Sequence, residues 1–189
     1  IIEYPSVIGA ASDYVRPAVK VEISCLSMKE PFEVKEITTL ISDAFPHADR
    51  DTSAVIPIVL PSRTFLEKAF LLCEEFQREA PRSLRMSRHL YDLERLMDTE
   101  FGMQALADVE LYKAIVEHRR KFYHVSYADY DKDYPDRIAF YPPERCLKMW
   151  ESDYKALQDA FVYGDKLSFR QLLLRIEELQ RRFREVDIK

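Results

Sequence analysis

The chain has 189 residues, of which 47% are apolar and 32% are charged, and its formal net charge is −5 at pH 7. A chain of this length and composition can bury a substantial core, which excludes a disordered tail and a coiled coil. Its weakly acidic balance offers no basic tail for nucleic acid, so any such partner needs a local basic patch.

The cysteines and the lack of long apolar runs indicate the cellular location. Cys25, Cys73 and Cys146 are widely spaced and form no Cys-x-x-Cys pair, which favours a reducing cytoplasm. No run approaches the ~18 apolar residues of a membrane span, and the first residues lack the basic start of an export signal. We therefore expect a cytoplasmic protein with no membrane partner. The opening residue is not a methionine, so we also expect that this sequence belongs to a longer natural chain.

The first third of the sequence has the patterning of β-strands. Residues 18–24 alternate between apolar and polar side chains, as a half-buried strand requires. Two further strands are predicted at 32–41 and 53–61, with a loop rich in turn-forming residues between them. We expect these strands to form a small sheet.

From Pro61 onward the apolar residues recur at helical spacing, which predicts five helices in the rest of the chain. The first starts with Pro61 and a Thr64-x-x-Glu67 pattern, and Gly102 marks the end of the second or a turn just beyond it. The third is a long helix at 104–123, and the last begins with a capping-box pattern at Ser168–Gln171. A sheet followed by helices places the chain in the α+β class.

Two neighbouring helices carry charged residues that allow two interpretations. Lys68 lies at the edge of an apolar stripe, so its stem can cover the core while its amine reaches water. Alternatively, its ammonium binds a phosphate group above a cleft. On the next helix Asp92 shares a polar stripe with Arg88, which fits either a solvated ion-pair ladder or the acid of a catalytic site.

Other patterns are less specific. Glu22 faces away from the apolar side of its strand, where a charged residue needs no function. The sequence HRRKFYH at 118–124 interleaves basic and aromatic residues, which suits either an RNA backbone or the negative end of a helix dipole. The acidic run at 129–133 lacks the glycine and the twelfth-position acid of a calcium loop. Zinc-ligand spacing and a glycine-rich phosphate loop are also absent from the sequence.

Five blocks occur in a specific order and cover nearly the entire chain. They are VKVEIS, VLPSRTFLEKAFLL, SRHLYDLERL, ALADVELYKAIVEHRRKFY and WESDYKALQDAFVYGDKLSFRQLLLRIEEL. The linked Thr-Phe-x-Glu-Lys and Arg-His-x-Tyr-Asp blocks are the most specific part of the pattern. Together the blocks resemble the AbiEii family of nucleotidyltransferase-like toxins, the enzymatic halves of AbiE-type toxin–antitoxin and phage-resistance modules.

The resemblance implies a particular α+β architecture, a partial nucleotidyltransferase-type sheet followed by a C-terminal helical domain. Residues 1–61 would be the remaining part of the sheet subdomain. Residues 62–123 would be the helices that carry the Lys68 and Asp92 motifs, and residues 124–189 a linker with the C-terminal helices.

The resemblance also implies a role for each candidate residue. Lys68 would contact the triphosphate of a bound nucleotide, and Arg63 is a second candidate for phosphate binding. Asp92 would be the acid that supports transfer, and Arg88 would help to orient the site. Glu22 would correspond to a metal-site carboxylate on the sheet.

The implied activity is Mg²⁺-dependent transfer of a nucleotide from an NTP to an RNA acceptor, such as tRNA, by a toxin whose cognate antitoxin is encoded nearby. The chain departs from the family pattern, because no Gly-Ser turn and no Asp-x-Asp strand precede VKVEIS, and His89 stands where relatives often have an acid. Two catalytic metal ions need clustered carboxylates. We therefore expect that these 189 residues are the C-terminal part of a longer protein. Alternatively, the chain is a catalytically incomplete relative that acts as an RNA- or protein-binding module.

Overall fold

The structure is a computed structural model in which helices follow two small sheets, and this arrangement confirms the predicted α+β class. Ser24, Cys25 and residues 48–52, which belong to the predicted loop between the second and third strands, lie outside the residues that it describes. The described residues are 1–3, 5, 17–23, 26, 28–29, 31–47 and 53–188.

Within the described residues, the strands form two separate two-stranded sheets, although the sequence predicts a single small sheet. Both sheets are antiparallel, and in the longer one Phe32 lies opposite Val59. The strands are β1 (Ile2–Glu3), which pairs with β2 (Ala18–Val19), and β3 (Phe32–Ile37), which pairs with β4 (Ala54–Val59).

All three predicted strands are shorter in the structure, and the one predicted at 53–61 covers only Ala54–Val59. The strand predicted at 18–24 ends at Val19, and the strand predicted at 32–41 ends at Ile37. After β3 the chain turns into a short helix, α1 (Leu40–Ala44). The Thr39 side chain caps this helix by accepting a hydrogen bond of 3.0 Å from the Ser42 amide. Such a side-chain cap favours the start of a helix. The strand prediction for residues 32–41 did not take this cap into account.

Segment 53–188, which the structure describes throughout, contains six helices where the sequence predicts five. The difference arises at Asp108, because its side chain accepts a hydrogen bond of 2.9 Å from the Leu111 amide. This cap starts a new helix inside the single one predicted at 104–123. The helices are α2 (Pro61–Glu75), α3 (Ser87–Leu96), α4 (Glu100–Ala107), α5 (Val109–Phe122), α6 (Leu147–Ala160) and α7 (Phe169–Arg184).

The helix starts test the predicted capping patterns. The capping box of Ser168 and Gln171 is present at the start of α7, with both reciprocal hydrogen bonds formed. Pro61 occupies the first turn of α2, as predicted, because its missing amide needs no partner there. The predicted Thr64-x-x-Glu67 cap is wrong, since Leu60 is the capping position and makes no side-chain hydrogen bond.

Contrary to the prediction, Gly102 lies neither at a helix end nor in a turn. It lies inside α4, at the point where α4 approaches the end of α3. A Cβ atom at this position would lie 2.4 Å from the carbonyl oxygen of Leu96 and 3.0 Å from Cα of Met97. Only glycine permits two backbones to approach this closely. Gly102 is therefore present because α3 and α4 approach closely here, and it does not mark a helix end.

One apolar core joins the helices from α2 to α7. Phe183 near the end of α7 packs against Phe65 of α2 and Phe140, at ring-centroid distances of 5.6 Å and 5.0 Å. Trp150 of α6 is fully buried in the same core. The core thus includes residues from both of the helical segments that the sequence distinguishes. In the described part of the chain, no helix has the length and apolar character needed to cross a bilayer.

A cluster of charged groups lies buried beside the core. Arg119 of α5 donates hydrogen bonds of 2.5 Å and 2.8 Å to the Glu74 carboxylate of α2. Asp133 is fully buried, and neither of its carboxylate oxygens has a hydrogen-bond partner among the described residues. The pKa of Asp133 is raised to about 8, first by burial and then by the negative charge of Glu74, with Arg119 opposing the rise. Asp133 is therefore mostly protonated at neutral pH.

We predict that Asp133→Asn removes a pH dependence of stability. The unfolded chain loses this proton near pH 4 and the folded chain near pH 8, so ionisation destabilises the fold as pH rises between these values. Asparagine stays neutral, so the free energy of unfolding of the variant should exceed that of the wild type increasingly from pH 5 to pH 8. We expect a gain on the order of 3 kcal/mol. The free energy of urea unfolding at pH 5 and at pH 8 measures this gain, with the exposed Asp136→Asn as the control. An equal pH slope in wild type and Asp133→Asn would contradict the prediction.

We also predict that Gly102→Ala destabilises the protein despite the better helix propensity of alanine. The added methyl group meets backbone atoms that cannot move independently, so we expect a loss of roughly 1 to 3 kcal/mol. The measurement is the free energy of urea unfolding, with the exposed Met103→Ala on the same helix as the control. Unchanged or increased stability of Gly102→Ala would show that α4 can shift away from α3.

Candidate functional site

Lys68 and Asp92 meet where α2 packs against α3. The Lys68 ammonium nitrogen lies 2.7 Å from Oδ2 of Asp92, and the two side chains are 22% and 38% exposed. This is the length of a charge-assisted hydrogen bond. The structure therefore brings together the two residues that were predicted as phosphate ligand and site acid, at a surface that solvent reaches.

Helix packing explains why these two side chains face each other. Phe65 and Leu72 of α2 and Leu90 and Leu93 of α3 are fully buried, so the apolar stripes of both helices turn toward the shared core. Polar residues at the edges of these stripes then lie along the line where the helices meet. Lys68 is such an edge residue on α2, and Asp92 occupies the corresponding edge of α3.

His89 lies next to the ion pair, on the buried side. Its Nδ1 is 3.5 Å from the Lys68 ammonium nitrogen, and the side chain is buried. The pKa of His89 is lowered to about 3, mainly by burial and also by the positive charges of Lys68, Arg88 and Arg82. The imidazole is therefore neutral at pH 7 and can accept a long hydrogen bond from Lys68 through an unprotonated Nδ1. From the sequence alone, position 89 was notable only because relatives often have an acidic residue there.

Arg88 and Glu22 lie on the open side of the same region. Arg88 is exposed and makes no ion pair with any residue that the structure describes. Glu22 follows β2 and does not lie on a strand, contrary to the prediction. An ion pair with Lys20 is the main cause of the lowered pKa of Glu22, and the charge of Arg88 contributes. Glu22 is thus within electrostatic reach of α3, but its carboxylate bonds Lys20 and does not contact Lys68.

Arg63 has different surroundings. Its side chain is 1% exposed, and its Nε donates a hydrogen bond of 3.0 Å to Oε1 of Glu67, one turn further along α2. A buried guanidinium that bonds a carboxylate of its own helix is less available to a ligand than a surface lysine. The phosphate-binding role of Arg63 stays a prediction, and the structure does not place it beside Asp92.

The described residues offer few ligands for a metal ion. These contain no group of three or more histidine, cysteine, aspartate and glutamate side chains with suitable geometry. Asp92 and Glu22 offer the oxygen ligands that Mg²⁺ prefers, but each carboxylate forms an ion pair with a lysine. The described residues alone therefore do not form a two-metal site.

The basic segment at 118–124 is largely occupied by internal partners. Arg119 bonds the buried Glu74, as described above, and its guanidinium lies 4.5 Å from the centre of the Tyr123 ring. Arg120 forms ion pairs with Glu117 and Asp131. These contacts engage two of the three arginine and lysine cations that an RNA-binding interpretation of this segment would use.

Two cavities of the structure lie away from the Lys68–Asp92 pair. One of about 470 Å³ runs along α7, and another of about 400 Å³ lies beside Cys73 and Phe76. Neither is lined by Lys68 or Asp92, so the candidate site is a partly open contact between two helices.

Comparison with known proteins supplies the family. A family model described as "Nucleotidyl transferase AbiEii toxin, Type IV TA system" matches residues 1–175. The match spans α2 and α3 and ends within α7. No curated protein and no solved structure shows significant similarity to the chain. The family match confirms the resemblance found in the five sequence blocks.

We predict that His89 remains neutral at pH 5, where an imidazole in water is mostly protonated. Burial is the larger cause of its low pKa and Lys68 the second, so Lys68→Met should raise the pKa of His89 only in part. Titration of the imidazole ¹³C and ¹⁵N chemical shifts by NMR measures both effects, with Lys113→Met as the control. A titration midpoint near 6.5 in the wild type would show that His89 is not enclosed next to Lys68.

Proposed function

The chain belongs to the AbiEii family of nucleotidyl transferase toxins of type IV toxin–antitoxin systems, and we propose that it transfers a nucleotide from an NTP to an RNA acceptor such as tRNA. The contact of 2.7 Å between Lys68 and Asp92 carries this proposal. It joins a cation suited to phosphate and a carboxylate suited to proton chemistry at one accessible place. The family also implies a cognate antitoxin as partner, and we propose that it is encoded nearby.

Lys68 is the phosphate-binding group of the proposal. A lysine ammonium has three N–H donors, and Asp92 and His89 occupy two of them. Among the described residues no third partner takes the remaining donor, which is therefore free for a phosphate oxygen. Because His89 is neutral, it fixes the ammonium without cancelling its charge. The Lys68 charge is balanced by the Asp92 carboxylate, so it becomes available to a triphosphate when a phosphate oxygen replaces Asp92 as its partner.

Asp92 is the acid of the proposal. Nucleotidyl transfer joins an acceptor hydroxyl oxygen to the α-phosphorus of the NTP and releases pyrophosphate. The hydroxyl proton must leave during this step, and a carboxylate within hydrogen-bond reach can accept it. Apart from Lys68, Asp92 has no hydrogen-bonded partner in the part of the chain that the structure describes. One of its oxygens is therefore available to the attacking hydroxyl.

Arg88 and Arg63 have supporting roles in the proposal. Arg88 is exposed on α3, near enough to influence the pKa of both His89 and Glu22, and its guanidinium can bind a phosphate with two parallel hydrogen bonds. Arg63 is the weaker phosphate candidate, because it is buried and bonds Glu67. Arg88 can therefore reach a ligand at the surface more easily than Arg63 can.

Mg²⁺ belongs to the proposal through the family resemblance alone. Bound metal ions would neutralise the triphosphate and the leaving pyrophosphate, and Glu22 is the carboxylate proposed to assist them. The described residues form no metal cluster, so the roles of Lys68 and Asp92 are stated without any metal-dependent step.

We place the activity in the cytoplasm, where NTPs and RNA are present, and in abortive infection as a defence against phage. The two cysteines that the structure describes, Cys73 and Cys146, are both buried free thiols, which is compatible with a reducing compartment. The second candidate function is a catalytically incomplete relative that binds RNA or protein. Purified protein that binds RNA without attaching a nucleotide would favour this candidate.

We predict that Lys68→Ala and Asp92→Ala, made in the complete natural protein, each abolish growth inhibition while the protein stays folded. Removing one polar group from a transfer site lowers the rate by roughly 10² to 10³-fold, whereas a partly exposed ion pair contributes about 1 kcal/mol or less to stability. Growth of the expressing host and the thermal unfolding midpoint measure the two effects.

Lys148→Ala and Asp165→Ala are matched controls, because both residues are exposed and distant in sequence from α2 and α3. They should retain full growth inhibition. If Lys68→Ala and Asp92→Ala are both stable and both fully toxic, the proposed roles are refuted.

A further inference from the structure

The N-terminus of α3 is held by a side chain from α6. Oδ1 of Asp153 accepts a hydrogen bond of 2.6 Å from the Arg85 amide. Oδ2 accepts a bond of 3.0 Å from the Ser87 amide and another of 2.5 Å from the Ser87 hydroxyl. Asp153 thus satisfies the free amides at the start of α3, as an N-cap residue does, although it lies 66 residues after Ser87.

The sequence around α3 supplies no cap of its own. Met86 occupies the capping position and makes no side-chain hydrogen bond there, and the first turn contains no acid. Asp153 is 8% exposed, so its charge acts on the positive end of the α3 dipole with little screening by water. Arg85 has a φ of 58°, a left-handed conformation that is unfavourable for arginine. The bond from its amide to Asp153 fixes the direction from which the chain enters α3.

The opposite end of α3 is held by α7. Arg182 donates to the backbone carbonyl of Met97 at 3.3 Å and to the carboxylate of Asp98 at 2.8 Å. Arg175 of α7 lies 3.6 Å from Glu94 of α3. With both ends held by later parts of the chain, α6 and α7 help to fix the rotation of α3 about its axis, in addition to its apolar packing against α2.

This rotation determines whether Asp92 reaches Lys68. Asp92 lies on α3, five residues after Ser87, and Lys68 lies on another helix. A side-chain atom at an outer radius of ~5 Å moves by about 2 Å when a helix rotates by about 20°. Such a displacement is enough to break the 2.7 Å contact between Lys68 and Asp92.

We propose that Asp153 is a positioning residue for the Lys68–Asp92 site, which it serves by fixing the N-terminus and the rotation of α3. This assignment rests on the proposed function wherever activity is the readout. Asp153 does not itself touch the reacting groups, since its three hydrogen bonds all go to residues 85 and 87. Its effect on transfer passes through Asp92.

A double-mutant cycle in the complete natural protein tests the positioning role. The variants are Asp153→Ala, Asp92→Ala and their combination, with Asp159→Ala as the control because Asp159 is an exposed aspartate on the same helix. The assay follows transfer of label from a mixture of the four α-labelled NTPs onto total tRNA, with kcat and KM measured separately. Asp153→Ala should lower kcat by roughly 10 to 100-fold, and it should add no further loss to Asp92→Ala.

Two results would overturn the positioning role. One is a folded Asp153→Ala protein with unchanged kcat, and the other is an equal proportional loss in the wild-type and Asp92→Ala backgrounds, which marks a general structural effect. If Asp153→Ala does not fold, Asp153→Asn takes its place, because asparagine keeps the size and one acceptor oxygen. It should give a smaller loss of kcat with the same dependence on Asp92.

An NMR readout separates this proposal from the proposed function. The imidazole signals of His89 and the ammonium signal of Lys68 should shift in Asp153→Ala and remain unchanged in Asp159→Ala. Unchanged signals in Asp153→Ala would refute the positioning role, whatever the activity. If Asp92→Ala retains full transfer while these signals do shift in Asp153→Ala, the proposed function fails and the positioning of α3 stands.

Discussion

The contact between the Lys68 ammonium and the Asp92 carboxylate is the interaction on which the functional interpretation depends. Partly exposed ion pairs contribute about 1 kcal/mol or less to stability, so this contact is not what holds α2 against α3. The buried apolar residues of the two helices do that, with Leu66 and Leu93 among those fully removed from water. Because the fold does not need the ion pair, its two charges can exchange partners with a ligand at little energetic cost.

In contrast to the Lys68–Asp92 pair, the charged groups of the buried cluster cannot be removed without a large loss of stability. Glu74 and Arg119 lie out of reach of solvent, and removal of either would leave an uncompensated charge in the interior, which costs several kcal/mol. Asp133 lies in the same cluster without a hydrogen-bond partner for its carboxyl group in the part of the chain that the structure describes. The molecule thus separates two kinds of charge. Those of the interior hold α2 to α5, and those at the α2–α3 edge face solvent.

Local patterns predicted the elements well where local interactions decide them. The capping box at Ser168 and the apolar period of α2 are such cases. Gly102 was misread because its role depends on the backbone of α3, which no neighbouring residue reveals. The family blocks and helical spacing pointed to Lys68 and Asp92, but their contact depends on how two helices pack. Asp153 gave no signal at all, since its partners lie more than sixty positions earlier in the chain.

The closure of the core by α7 has a consequence for synthesis of the protein. Phe183 supplies the ring that packs against Phe65 and Phe140, so a nascent chain that has not yet emerged beyond this residue leaves that part of the interior open to water. Domains generally fold as units, and α2 and α3 therefore gain their fixed arrangement only after α7 has been synthesised. A product that ends before Phe183 would leave the apolar rings of Phe65 and Phe140 without this packing partner and open to water.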